Sequence, residues 1–480
     1  MKFAVQNSYK TSLAFYMAGM PVIFLMGCVA YVLSNSLNPL MIGFLSVYAI
    51  TVLFTVVHFG WISLYSIFLY TSAFFIYDCF IFTLTGRYNF LKQTFPITYT
   101  LPDDVGRTFI IVCVVCVYVM HLTYCLCKKS KIKKEINYET RPDFVRCGKI
   151  IMLVFLIPLL AKIYIQVSYI RAHGYLSMYA EQGEFEFPFW VSGAFTFFIS
   201  GFVLFLSGKP EKKELIKWSA FYFVVFSLSS LRGQRGPILS LLLFLLCLFV
   251  KKFSLRIKIR HLLMLLVVVI AFTYSLGNLR KSYGGNQSTK KSKINIGAVA
   301  ESVLYSQTTT RAIPLLIING DVDYHPYPFI FTPITLPFSR MIWPEENRTE
   351  ISGQKYNIMG RTLLYNVSKR AYLQGYGYGG AFIGEAYDCG GFIGLVFWSI
   401  FLAYICAFLD FSDFMLSPKV LPLVFLFLFD FGMLTRERLL AVATKYNYLI
   451  FIYFVILILN SKNHVLKIPV KGRRNIYEHH

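Results

Sequence analysis

Long apolar runs separated by short polar clusters dominate the chain. A helix needs about 20 predominantly apolar residues to cross a bilayer core, and backbone groups in lipid must be satisfied within that helix. On this criterion twelve spans are expected, near 12–34, 39–58, 61–84, 106–127, 149–169, 188–207, 217–231, 236–250, 262–277, 381–409, 419–434 and 446–460. The seventh and eighth are short and are joined by Leu231-Arg232-Gly233-Gln234-Arg235-Gly236, so one broken or re-entrant hairpin is the alternative there. The first run is too long for a secretory leader, and no small-residue cleavage site follows it. No short-period repeat stands out. The expected organisation is a membrane domain over 1–277, one large and partly helical loop over 278–380, a second membrane portion over 381–460, and a basic tail over 461–480. The fold class is all-α, a polytopic integral membrane protein with about twelve transmembrane helices.

Composition agrees and removes alternatives. Of 480 residues, 56% are hydrophobic, 18% aromatic and only 15% charged, against roughly 25% charged in an ordinary soluble domain. A soluble enzyme, a disordered scaffold and a disulfide-stapled secreted domain are all excluded. The ten cysteines fall mostly in or near spans, so no disulfide framework is expected. Cys113-x-x-Cys116 has redox spacing but sits in an apolar run, where core packing is the better reading.

Charge adds orientation. The chain carries 47 Lys plus Arg against 24 Asp plus Glu, a net charge of +23. With the N-terminus inside, the basic residues of the short connections concentrate on the inner side, as the positive-inside rule requires, and the long loop is exempt from that rule. Both termini are then cytoplasmic and the loop 278–380 faces outward. The inner basic excess meets anionic headgroups.

Ionisable residues inside spans are costly and usually mark function. Asp78, Glu385, Asp388 and Asp430 qualify, and the proposed topology puts all four near the outer ends of their helices. Lys162 and Arg171 approach the same face, and Arg232 and Arg235 lie in the outer break. A transporter would carry polar groups near the midplane with access from both sides; this distribution describes one polar chamber at the outer surface. Arginine suits a diphosphate because its planar fork binds phosphate oxygens bidentately. The outer candidates are Arg232, Arg235, Arg280, Arg311, Arg340, Arg348, Arg361, Arg370, Arg436 and Arg438. Nucleic acid is a poor partner for such a protein.

The long loop contains Asp321-Val-Asp323-Tyr324-His325, a Pro- and aromatic-rich run, and Leu336-Pro-Phe-Ser-Arg340-Met-Ile-Trp343-Pro344. It closes on a glycine-rich stretch ending Gly384-Glu385-Ala-Tyr387-Asp388-Cys-Gly390-Gly391-Phe-Ile-Gly394. Those glycines permit close backbone approach, and Gly380-x-x-x-Gly384 and Gly390-x-x-x-Gly394 fit small-residue helix packing. The 336–344 and 384–394 segments, with the span layout and the large outer loop, resemble the O-antigen polymerases, the Wzy-type oligosaccharide repeat-unit polymerases.

That resemblance implies a GT-C-like glycosyltransferase fold in the bacterial inner membrane with a periplasmic loop. It implies transfer of a growing glycan from undecaprenyl diphosphate onto a new lipid-linked repeat unit in O-antigen (lipopolysaccharide) biosynthesis. Its partners would be those lipid-linked substrates, membrane lipids and a chain-length regulator. A lipid diphosphate leaving group needs positive charge, for which Arg232, Arg235, Arg280 and Arg340 are the candidates, with Arg436 and Arg438 in reserve. An acceptor hydroxyl benefits from a base: Glu385 first, then Asp388, Asp321 and His325. Tyr324, Tyr327, Trp343, Tyr376, Tyr378 and Tyr387 are candidates for stacking on sugar faces. No cofactor is expected; Asp321-x-Asp323 leaves an Mg²⁺ site open. The competing readings are an O-antigen ligase, which differs in its acceptor, and a lipid-linked oligosaccharide flippase.

Overall fold

The computed structural model describes residues 2–93, 98–128, 140–174, 189–232, 236–253, 308–321, 327–335, 358–411, 419–436 and 438–465. Within them the regular secondary structure is helical apart from one two-residue antiparallel pair, β1 (Lys92–Gln93) and β2 (Tyr99–Thr100). Eight helical stretches are long and apolar enough to cross a membrane. Four more apolar helices are shorter, covering 194–207, 236–250, 310–319 and 421–431. The expectation of twelve full spans is therefore met only in part. The sixth, eighth and eleventh correspond to short helices, and the ninth, 262–277, lies outside the described residues.

The first half is a bundle of α1 (Lys2–Ser34), α2 (Asn38–Phe59), α3 (Leu64–Ser72), α4 (Asp78–Leu84) and α5 (Asp103–Cys127). Between α3 and α4 the chain makes a π-helical turn, Ala73–Tyr77. Such turns change the face that following residues present and occur frequently at functional sites; this one ends directly before Asp78. Next come α6 (Pro142–Val154), α7 (Leu156–His173), α8 (Ala194–Ser207), α9 (Lys212–Leu228) and α10 (Gly236–Phe253).

Helices α6 and α8 pack backbone against backbone. A Cβ at Gly148 would stand 2.5 Å from both the Gly201 carbonyl oxygen and the Phe205 nitrogen. Lipid offers no hydrophobic drive to helix pairing, so close backbone approach supplies the contact energy. Gly148→Ala is expected to force the pair apart and destabilise the protein by about 1–3 kcal/mol, read as a lower melting temperature in detergent. Gly19→Ala, where nothing lies within 4 Å of the added Cβ, serves as the control and should melt like the wild type.

In the large loop, α11 (Thr308–Asn319), α12 (Met359–Val367) and α13 (Lys369–Leu373) bury a cluster that includes Ile313, Leu316, Phe329, Met359, Leu363 and Tyr372. Leu315 and Ile330 belong instead to the main core, so this part of the loop is docked on the bundle. After it come α14 (Phe382–Asp388), α15 (Gly391–Phe411), α16 (Leu421–Phe431) and α17 (Tyr446–Val465).

The expected span 381–409 is not one helix. It breaks at Cys389–Gly390, with φ of 142° at Gly390 and 60° at Gly391, values a residue with a Cβ rarely adopts. Glu385 and Asp388 therefore lie on a short helix before the span rather than inside it. Cys113 and Cys116 are fully buried in α5, and the cysteines of the described residues are free thiols, in keeping with a packing role.

One carboxylate of the spans escaped the sequence reading. Asp410 closes α15, accepts hydrogen bonds from the backbone nitrogens of Leu64 (3.0 Å) and Tyr65 (3.4 Å), and accepts another from the Tyr124 hydroxyl (2.8 Å). It caps the start of α3 and ties it to the end of α5. The starts of α5 and α15 and the end of α4 consequently share the opposite end of the bundle, and Asp78 and Glu385 are found there.

Candidate active site

Among the described residues Arg311 is the largest fully buried side chain, 2% exposed. It lies on α11, in a run so apolar that burial of the backbone carries the guanidinium inside. A buried cation needs a hydrogen-bonded anion, and the π-helical turn supplies one. The Arg311 Nη2 donates to both Asp78 carboxylate oxygens at 2.5 Å. The Arg311 guanidinium also lies 5.8 Å from the Tyr88 ring. Burial pushes the Tyr88 hydroxyl above its ordinary value, more than neighbouring Arg311 pulls it down, so the phenol stays neutral. Pro314 in the same helix has no N–H for the carbonyl four residues earlier, that of Thr310.

Glycines bring the next layer close. A Cβ at Gly360 would stand 2.2 Å from the Tyr378 carbonyl oxygen, so α12 lies hard against the irregular segment 376–380. Gly380 donates its N–H to the Arg436 carbonyl at 2.7 Å. A Cβ at Gly379 would sit 3.3 Å from the Thr310 hydroxyl and 3.6 Å from Arg436 Cγ and Nε. The Arg436 guanidinium reaches to 5.9 Å from the Phe75 ring of the π-helical turn, within cation–π range. Glu385, fully buried, accepts a hydrogen bond at 3.1 Å from the Leu439 nitrogen, the amide that follows Arg438. It thus fixes the turn that carries both arginines.

Four parts of the sequence thereby converge: the π-helical turn with Asp78, α11 with Thr310 and Arg311, the glycine stretch leading to Glu385, and the 433–440 turn with Arg436 and Arg438. Among the described residues, three arginines and two carboxylates give the cluster an excess of positive charge. Arg438 is half-buried and makes no hydrogen bond or ion pair with other described residues. Such a set can neutralise an anionic leaving group and hold a carboxylate near it.

The other expected site residues divide differently. Arg232 is held elsewhere, donating to the Gln166 side-chain oxygen (2.9 Å) and the Ser229 carbonyl (3.0 Å) and lying 4.7 Å from the Phe195 ring. Its Phe195 neighbour is also 5.7 Å from Lys162. Asp430 pairs with Lys445 at 2.8 Å. Asp388 accepts from the Phe329 backbone nitrogen at 2.9 Å and so tethers the loop. Asp321 accepts from the Asn319 amide at 2.8 Å. Tyr387 packs edge-on against Phe392, Tyr378 is buried, Tyr376 packs on the loop cluster, and Tyr327 accepts from Thr335. Arg235, Arg280, Arg340, Asp323, Tyr324, His325 and Trp343 lie outside the described residues. Sequence reasoning had noted Asp78 and Arg311 separately; the signal for their pairing was one buried charge of each sign in otherwise apolar helices.

Compared with known proteins, residues 16–467 match the family described as O-antigen polysaccharide polymerase Wzy. No curated protein and no solved structure matches the chain.

Proposed function

Because the chain belongs to the O-antigen polysaccharide polymerase Wzy family, we propose that the Arg311–Asp78, Arg436–Arg438 and Glu385 cluster is where it joins lipid-linked repeat units. Polymerisation of O-antigen sugars is a glycosyl transfer, and here the donor is taken to be the growing glycan on undecaprenyl diphosphate. Its glycosidic bond to the diphosphate breaks, and a bond to a hydroxyl of the incoming lipid-linked repeat forms. The hydroxyl proton passes to Glu385 and the bond electrons leave with the diphosphate. Positive charge aimed at a developing anion lowers the barrier most where water is excluded, and Arg436 and Arg438 stand on the turn that buried Glu385 fixes. The orientation read from the basic residues makes this end of the bundle periplasmic and both termini cytoplasmic. A chain-length regulator would then meet the loop side.

The observation that carries this reading is the convergence of three arginines and a buried glutamate from three separate chain segments, with Asp78 from a fourth, at one end of the bundle. Ligase and flippase readings lose ground to the family match.

The test is a deletion strain complemented with Arg436→Ala or Arg438→Ala at matched expression. Lipopolysaccharide bearing a single repeat unit is expected in place of the ladder. A normal ladder from both variants would overturn the assignment. With purified enzyme and a synthetic lipid-linked repeat, EDTA is expected to leave the rate unchanged. Loss restored by Mg²⁺ would instead bring the Asp321-x-Asp323 segment into the chemistry.

A further inference from the structure

We infer that Thr310, facing Arg436 across Gly379, is a binding residue for a phosphate oxygen of the lipid diphosphate; this rests on the function proposed above. Thr310 is 0% exposed, and its hydroxyl has no hydrogen-bond partner among the described residues. The adjacent turn repeats the pattern: Thr435, one residue before Arg436, is 1% exposed and its hydroxyl is equally unpartnered there. A buried hydroxyl without a partner destabilises the free protein, and a valine of the same shape would remove that cost. Its position beside Arg436 gives the hydroxyl a use once a ligand arrives.

Gly379 provides the access. Only a hydrogen occupies the direction in which a side chain would point, and that direction is bounded by the Thr310 hydroxyl and the Arg436 Nε and Cγ. An anionic oxygen drawn in beside Gly379 would accept from the hydroxyl and from the guanidinium together, a pairing stronger than either neutral contact. Thr310 is held in place from the next residue, because Arg311 is locked to Asp78. Thr310 thus belongs to a different layer from the arginine it faces: α11 below, the 433–440 turn above, and the glycine between them.

Three variants test the inference. Thr310→Val is expected to fold with an unchanged or higher melting temperature, yet to bind undecaprenyl diphosphate in nanodiscs about tenfold to a hundredfold more weakly, the range of one lost hydrogen bond to a charged group. The KM for a synthetic lipid-linked repeat should rise in parallel. Thr310→Ser keeps the hydroxyl and should recover most of the binding. Gly379→Ala adds a methyl in ordinary or slightly tight contact, so the fold should persist while binding falls. Wild-type binding by both Thr310→Val and Gly379→Ala, with Arg436→Ala still inactive, would overturn this inference and leave the active-site proposal standing. Wild-type polymer from Arg436→Ala and Arg438→Ala would remove the active-site proposal and this inference with it.

Discussion

Arg311→Ala is expected to cost about 3–5 kcal/mol of stability, because removing one member of a buried ion pair leaves the other charge uncompensated. Asp78 would keep its carboxylate in a nearly closed environment, 18% exposed, with its principal partner gone. The result should be a sharply lower yield of monodisperse protein in detergent and a lower melting temperature. The double variant Asp78→Asn with Arg311→Gln should recover much of the loss, since a neutral pair can still hydrogen-bond without a buried charge. Recovery of folding without recovery of polymer would fit a pair that positions Thr310 and the layer above it. If Arg311→Ala melts like the wild type, the pair does not hold α11 to the π-helical turn, and the account of the site's lower layer fails.

The largest effect on activity is expected from Glu385→Gln. The amide keeps an oxygen that can accept from the Leu439 nitrogen, so the 433–440 turn should remain in place. It loses the ability to take a proton. A positioned general base contributes roughly 10²–10⁴-fold, and the turnover of the purified enzyme on a synthetic lipid-linked repeat should fall by about that factor with little change in melting temperature. Glu385→Ala should differ: it removes the acceptor as well, leaving the Leu439 amide unsatisfied at a cost of about 1–3 kcal/mol. Near-normal turnover in Glu385→Gln combined with a destabilised Glu385→Ala would reassign Glu385 as a tether for the two arginines.

Much of this arrangement was legible along the chain. Eight of the apolar runs became helices of spanning length, because a run of about 20 apolar residues in lipid has no other way to satisfy its backbone. The expected spans 188–207, 236–250 and 419–434 correspond to apolar helices shorter than a full span, 194–207, 236–250 and 421–431. Apolar composition marks burial in the bundle as well as exposure to lipid, and the two cannot be told apart by hydropathy. The break at Gly390–Gly391 was misread for a similar reason: glycines within an apolar run suit close helix packing as well as a turn. Asp410 lies one residue beyond the expected span 381–409, yet it belongs to the last turn of α15, which runs to Phe411.

For the site, the sequence by itself determined which ionisable groups stand in apolar surroundings. It marked the scarce acids and bases, their preference for one end of the helices, and Glu385 beside a glycine-rich entry. Only the tertiary structure decided their partners. Asp78 and Arg311 are 233 positions apart, and nothing in either neighbourhood names the other; pairing follows from the π-helical turn and from the docking of α11 on the bundle. Arg436 and Arg438 were held in reserve, yet they stand in the cluster, while Arg232 belongs to another group of helices. The reason is physical. Local sequence fixes whether a charge can stay in lipid-facing surroundings, but which opposite charge relieves it depends on which helix faces pack together. That is a property of the whole bundle.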